Sequence, residues 1–421
     1  MEKKIIGENE MILAQNQYYN LDCYKTQLNN NVLVVGTSGA GKTRSIVSPN
    51  ILQASGSYII VDPKGNLYGK FADYLRSNGY LVKKLNFTDS SDPETSAYNF
   101  FHYIHSEQDV LKIAYMLIKS SGPDGESFKG DPFWDDAAEL LMVSLIGYLY
   151  RYTHPDQCTL KSILKLLLAS DIAEYDDDYK SALDCIFEEV EKTNPDDYYL
   201  RSYKLFRQAA SKTLKSILIT VSSKLAVFDS SELRNLFSVD SVNISEIGKK
   251  KTALFVVVSD TDRSMDPMAN LFFTQAINEL CRVADGIPGQ KLPIDVRFIL
   301  DDFATNVCIY EFPRMIASIR SRGISVMLFI QAESQLMNSY GQNGRTIIGN
   351  CDTYVYLGGN DIDTAKNVAQ RADVPLSHIL YMPVGTSWIF RRGQKPIECQ
   401  NFKLEEFMRE KQKRHLQSKE K

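Results

Sequence analysis

Several features that would direct the reading elsewhere are missing from this sequence. The seven cysteines (Cys23, Cys158, Cys185, Cys281, Cys308, Cys351 and Cys399) are scattered and include no CxxC pair. An odd, dispersed set reads as reduced thiols of a cytosolic protein, not as a disulfide frame or a cysteine zinc site. His102 and His105 are spaced HxxH, but no acidic motif accompanies them, so they do not read as metal ligands. The opening MEKKIIGENEMILAQ lacks the apolar run of a signal peptide. The longest apolar stretch, Leu140 to Tyr150, falls well short of the roughly 20 residues that span a bilayer. The expectation is therefore a cytoplasmic chain that reaches the inner face of a membrane through partners. Excess positive charge is also lacking. The net charge of -4 argues against a protein that coats nucleic acid by bulk charge, since phosphate binding needs clustered Lys and Arg. There is no internal repeat and no low-complexity tract.

What is present is an alternation of short apolar strands with helical patterns. The runs Asn31–Val35, Ser57–Val61 and Tyr80–Leu85 alternate with helices expected over Lys42–Ala54 and Leu67–Asn78. Continuous apolar strands of this kind are buried in parallel sheets, and the alternation predicts a doubly wound α/β fold. From residue 106 to 240 helical patterns dominate, including Asp135–Tyr152, Leu160–Ala169 and Gln208–Phe228. The acidic connectors at 174–180 and 194–199 read as solvated loops. Apolar strands return at Ala253–Val258, Val296–Leu300, Ile324–Ile330 and Thr353–Leu357. The expected organisation is a nucleotide-binding domain in two parts, 1–105 and 241–403, around an all-α insertion at 106–240. Residues 404–421, charged and aperiodic, read as a flexible tail.

Between the first apolar strand and its helix lies Gly36-Thr37-Ser38-Gly39-Ala40-Gly41-Lys42-Thr43, a full match to GxxxxGK[ST] in the required context. Glycines let successive backbone N–H groups converge on phosphate at a positive helix N-terminus. Lys42 is then placed to reach the β- and γ-phosphates, and the Thr43 hydroxyl to ligate Mg2+. A second metal contact is expected at the end of another buried strand, and Phe298-Ile299-Leu300-Asp301-Asp302 supplies Asp301. Asp302 then stands where a general base orients the attacking water. The guanine-reading NKxD motif is absent, which favours ATP. Further on, Arg320 is placed to act as a finger on a neighbouring subunit's γ-phosphate, and Gln331 to sense that phosphate at a strand end. Each has a plainer reading: Asp302 as a loop carboxylate, Arg320 as a solvated helix-end charge, Gln331 as a strand cap.

Together these motifs resemble the TraG/TraD-like type IV coupling proteins. The resemblance extends to Val61-Asp62-Pro63-Lys64-Gly65, Asp131-Pro132-Phe133-Trp134, Asp301-Asp302-Phe303-Ala304, Arg320-Ser321-Arg322-Gly323-Ile324, Gln331, Asn350 and Gly358. It implies a RecA-like P-loop fold with a central, mostly parallel sheet and an inserted all-α domain, assembled as a hexamer. It further implies an ATP- and Mg2+-dependent motor that delivers DNA and relaxase, or other secreted cargo, to the components of a type IV secretion channel. In that pattern Lys42 and Thr43 serve the nucleotide, Asp301 the metal, Asp302 the hydrolytic step, Arg320 the trans-acting finger and Gln331 the sensor. This sequence departs from the family in two ways. It has Asp302 where the family commonly has Glu, and it shows no N-terminal transmembrane helices, which suggests a separate membrane anchor protein. Two other readings share these residues: a DNA pump of the FtsK/HerA sort, and a non-hydrolysing adaptor that ATP switches.

Overall fold

The computed structural model describes residues 6–119, 132–173, 179–405 and 407–408. Asp131, most of the acidic run at 174–180 and nearly all of the expected tail therefore lie outside the described residues. The chain divides into two units. One takes the residues up to Lys84, then Ile244–Asp260 and the chain from Ile277 onward. The other takes Leu85–Asn243 and Thr261–Ala276.

Among the described residues the first unit contains eleven strands: β1 (Glu10–Ala14), β2 (Gln17–Asn20), β3 (Val32–Val35), β4 (Ser57–Val61), β5 (Leu81–Asn86), β6 (Thr252–Val257), β7 (Val296–Leu300), β8 (Ile324–Ile330), β9 (Thr353–Tyr356), β10 (Thr386–Arg391) and β11 (Ile397–Gln400), with the unit boundary falling inside β5. Nine of them form one sheet in the order β11-β10-β9-β3-β8-β7-β4-β6-β5. From β9 to β6 every neighbouring pair is parallel. At one edge β10 pairs antiparallel with β9, and β11 antiparallel with β10. The strands β3, β4, β6, β7, β8 and β9 are buried along their whole length. That burial on both faces is why their sequences read as continuous apolar runs and not as alternation.

Two local features differ from the sequence expectation. The helix expected over Lys42–Ala54 is a wider, π-wound turn over Thr43–Val47 followed by an α-helix over Ser48–Gln53. Pro49 has no N–H to donate to the carbonyl four residues back, so regular α-winding fails at that point. The Ser48 N–H reaches the Thr43 carbonyl instead. The β1–β2 hairpin was not expected at all. The buried Asn50 holds it, accepting from the Ile12 N–H at 3.0 Å and donating to the Ile12 carbonyl at 2.6 Å. A short strand stabilised by a side chain 38 residues away leaves no local signal.

The second unit is helical, built around Pro132–Tyr152, against which Glu107–Lys119, Tyr198–Arg207 and Ser211–Ala226 pack. It is larger than the 106–240 segment. It begins at Leu85 and includes residues 261–276, where Phe272 packs edge-on to Tyr98 with ring centroids 5.2 Å apart. Gln275 donates from Nε2 to the Phe100 carbonyl at 3.0 Å. Such long-range aromatic and amide contacts have no sequence periodicity. No described helix is long and apolar enough to cross a membrane.

Gly147 lies inside the central helix, where alanine ordinarily stabilises by about 1 kcal/mol. A Cβ there would lie 2.0 Å from a ring carbon of Tyr199, a clash no rotamer of alanine relieves. Overpacking costs of about 1–3 kcal/mol then outweigh the propensity gain. Gly147→Ala is expected to lower the urea midpoint; an unchanged or raised midpoint would show that the two helices separate freely.

Candidate nucleotide-binding site

The site forms where strands leave the sheet at one edge. After β3, the Gly36 N–H donates to the Ile330 carbonyl at 3.0 Å and the Thr37 N–H to the Gly358 carbonyl at 3.1 Å. The loop is thus tied to the ends of both neighbouring strands. Gly39 and Gly41 have φ of 79° and 92°, a region that residues with a Cβ seldom enter. These two positions turn the loop so that its amides converge ahead of the helix. Lys42 is buried, with Nζ donating to the Gly36 carbonyl at 2.7 Å. Burial pushes its pKa down, while the nearby carboxylates of Asp302 and Asp301 oppose the shift.

Asp301 follows β7 and is also buried. Its Oδ2 accepts from the Thr43 hydroxyl at 3.1 Å, and its Oδ1 from the Asp302 N–H at 3.2 Å. Burial raises the Asp301 pKa and the Asp302 charge adds to the rise; the Thr43 hydrogen bond and Lys42 pull the other way. Asp302 and Ala304 have φ of 50° and 67°. Asp is tolerated there, but Ala costs about 1–2 kcal/mol. The loop is held by its own backbone: the Asp302 carbonyl accepts from the Asn306 N–H at 3.1 Å, and the Ala304 N–H donates to the Val307 carbonyl at 3.0 Å. Between them Phe303 is buried, 5.1 Å from the Phe312 ring.

β8 lies between β3 and β7, with Val35 opposite Ile330 and Leu300 opposite Leu328. That register brings Gly36, Asp301 and Gln331 out along the same edge. Gln331 is exposed; its N–H donates to Gln335 Oε1 at 2.7 Å. Among the described residues its side chain makes no hydrogen bond to Lys42, Asp301 or Asp302.

Arg320 is not brought to this edge. It sits at the other end of β8, on a 3-10 turn over Arg320–Arg322 and not at a helix end as expected. Seven strand residues separate the two ends, about 20 Å. Its Nη2 donates to the Cys23 carbonyl at 3.0 Å. Arg322 pairs with Asp285 at 2.8 and 3.0 Å. The VDPKG segment has a structural part to play: the buried Asp62 carboxylate accepts from the Tyr68 N–H at 2.9 Å and closes the turn after β4. The Asn350 carbonyl accepts from Asn29 and Asn31, both at 3.1 Å, beneath the start of β3.

Sequence reasoning missed the segment after β11. Asn401 Nδ2 donates to the Ala40 carbonyl at 3.4 Å, and Glu405 pairs with Arg44, whose Nε lies 3.0 Å from Oε1. These partners lie 361 residues apart, beyond any spacing motif.

The donor set fits a nucleotide with a hard divalent cation. A hydroxyl and a carboxylate meet at 3.1 Å beside an amide-rich loop, and Mg2+ takes one or two protein oxygens with phosphate and water as the rest. Among the described residues no group of three or more His, Cys, Asp or Glu could hold a metal by itself.

Comparison with known proteins agrees with this geometry. The family model for type IV secretory system conjugative DNA transfer matches residues 1–372. The chain belongs to that family. The coupling protein VirD4 of Bartonella quintana (strain Toulouse) is 23% identical over 374 residues, covering 84% of this chain and 54% of the relative. The conjugal transfer protein TraG of Agrobacterium fabrum is 20% identical over 350 residues, covering 80% and 50%. This family member thus spans about half the length of the relatives it matches. Among solved structures, the bacterial conjugative coupling protein TrwBdeltaN70 aligns with a TM-score of 0.66 at 16% identity, covering 96% of this chain and 91% of that one. VirB4 of Thermoanaerobacter pseudethanolicus aligns with a TM-score of 0.56 at 12% identity, covering 94% and 96%. The fold is the α/β RecA-like fold of P-loop ATPases.

The raised Asp301 pKa fixes the sign of a test. Folding strengthens this group's hold on its proton, so its stabilising contribution is present below the ordinary carboxylate range and lost as pH rises through the raised value. At neutral pH the buried charge costs stability. Without nucleotide, Asp301→Asn is expected to melt at or above the wild-type temperature, while losing Mg2+-dependent nucleotide binding. A melting point several degrees lower would show that the charge stabilises the fold.

Proposed function

We propose that this chain hydrolyses ATP with Mg2+ and uses the energy to deliver DNA, with relaxase or other cargo, to a type IV secretion channel. The observation that carries the reading is the 3.1 Å contact between the Thr43 hydroxyl and the Asp301 carboxylate, beside a phosphate loop closed by the Lys42 ammonium. Family membership and the solved TrwB complexes with the ATP analogue ADPNP and with ADP and Mg2+ support it.

In this reading Gly36, Thr37, Ser38, Gly39, Ala40 and Gly41 cradle the phosphates through backbone amides, and Lys42 turns from the Gly36 carbonyl to the β- and γ-phosphates. Thr43 and Asp301 hold Mg2+, which when bound offsets charge developing on the phosphate oxygens. Asp302 orients the attacking water and accepts its proton. Its backbone is fixed by hydrogen bonds on both sides, so the shorter Asp is presented from a rigid turn. Gln331 senses the γ-phosphate from the neighbouring strand end. Arg320, some 20 Å from its own loop, acts on a neighbouring subunit's nucleotide in a hexameric ring. The sheet unit, which carries the nucleotide loop, is the motor, and the helical unit of Leu85–Asn243 with Thr261–Ala276 receives cargo. The motor works in the cytoplasm, at the inner face of the membrane.

Lys42→Ala is expected to lower steady-state phosphate release by about 10²–10³-fold, the scale for losing one electrostatic contact to the transition state. Wild-type turnover in that variant would sink the assignment of the loop. Arg320→Ala should assemble normally yet hydrolyse slowly. An assembled Arg320→Ala ring turning over at the wild-type rate would remove the finger from the mechanism while leaving the rest intact.

A further inference from the structure

The segment that follows β11 is a strap fastened along the sheet unit, and its polar side chains meet the phosphate loop. Phe402, Leu404 and Phe407 are buried, with the Phe402 ring edge-on to Tyr18 at 6.2 Å and 5.6 Å from Phe407. The Asn401 N–H donates to the Gly385 carbonyl at 2.8 Å, and the Lys403 N–H to Gln15 Oε1 at 3.4 Å. These contacts leave Asn401 beside Ala40, and Glu405 accepting from both Nε and Nη2 of Arg44.

The chemistry of Asn401 is directional. The Ala40 carbonyl can only accept, so it selects the amide NH2 of Asn401 and turns Oδ1 away. That Oδ1 is buried and meets no donor in the described structure. A buried acceptor without a partner is costly, so the atom calls for an N–H or O–H. Ionised phosphate oxygens cannot supply one, because they accept only. The hydroxyls of a sugar and the amino group of a base can. Position agrees with chemistry. Lys42 and Thr43 serve the β- and γ-phosphates and the metal, so Arg44, the next residue, stands beyond them toward the nucleoside.

We propose that the strap forms the nucleoside end of this site, with Asn401 Oδ1 accepting from the sugar or base and the Arg44–Glu405 pair holding the strap against the loop. The proposal rests on reading the loop as a nucleotide site. It divides the work: the loop binds the polyphosphate, and the strap distinguishes a nucleotide from bare polyphosphate.

The test titrates the full chain with ATP and, separately, with inorganic tripolyphosphate, both with Mg2+, by calorimetry. Asn401→Ala is expected to weaken ATP roughly tenfold, the scale of one hydrogen bond, and to leave tripolyphosphate within about twofold. Glu405→Gln, a change at an exposed pair, should weaken ATP about threefold with the same selectivity, and keeps the test open if Asn401→Ala does not fold. Loss of both ligands in parallel, or of neither, in these variants overturns the proposal. Lys42→Ala should weaken both ligands. If it weakens neither, the nucleotide reading of the loop fails instead, a result distinct from failure of the strap.

Discussion

The contact between the Thr43 hydroxyl and the Asp301 carboxylate joins residues 258 positions apart, and the rest of the site depends on it. It exists because β8 is inserted between β3 and β7 and all three run parallel. Parallel strands of matched register leave the sheet at one edge, so a loop after β3 and a carboxylate after β7 face the same space. Ligands of open α/β sheets bind at this carboxyl edge for that reason. The same topology sends Arg320 to the far end of β8. One chain therefore brings the Gly36–Thr43 loop and the Asp301 carboxylate together and leaves Arg320 at the opposite end of β8.

The arrangement stores unfavourable energy at the place where chemistry is proposed. Lys42 and Asp301 are both buried, with pKa values displaced in the directions that disfavour their charges. Asp302 and Ala304 hold left-handed backbone conformations. Stability is lost locally so that charged groups are already oriented before a ligand arrives, which is how preorganised sites lower barriers. An added phosphate–metal unit of opposite and complementary charge removes much of that cost. The fold tolerates it because the strands beneath are buried along their entire length.

Much of this was legible in the sequence because the signals are contiguous. Val32–Val35 and Val296–Leu300 read as buried strands, and the loop and carboxylates at their ends follow within a few residues. The parts that were not legible depend on distant partners. The β1–β2 hairpin is stabilised by Asn50, and the placement of Asn401 against Ala40 requires the antiparallel addition of β10 and β11. The helical unit's claim on residues 261–276 rests on aromatic contacts such as that between Phe272 and Tyr98. The π-wound turn at Thr43–Val47 is an intermediate case: Pro49 announces an interruption but not the form it takes.

We propose that this loop and these carboxylates turn over ATP repeatedly under the control of a DNA substrate. The most direct measurement is phosphate release per site by the wild-type chain in Mg2+, followed to steady state with and without DNA. Many turnovers per site are expected, faster when DNA is present. Release that stops at one phosphate per site, whether or not DNA is added, would contradict it and leave a protein that binds ATP only as a switch.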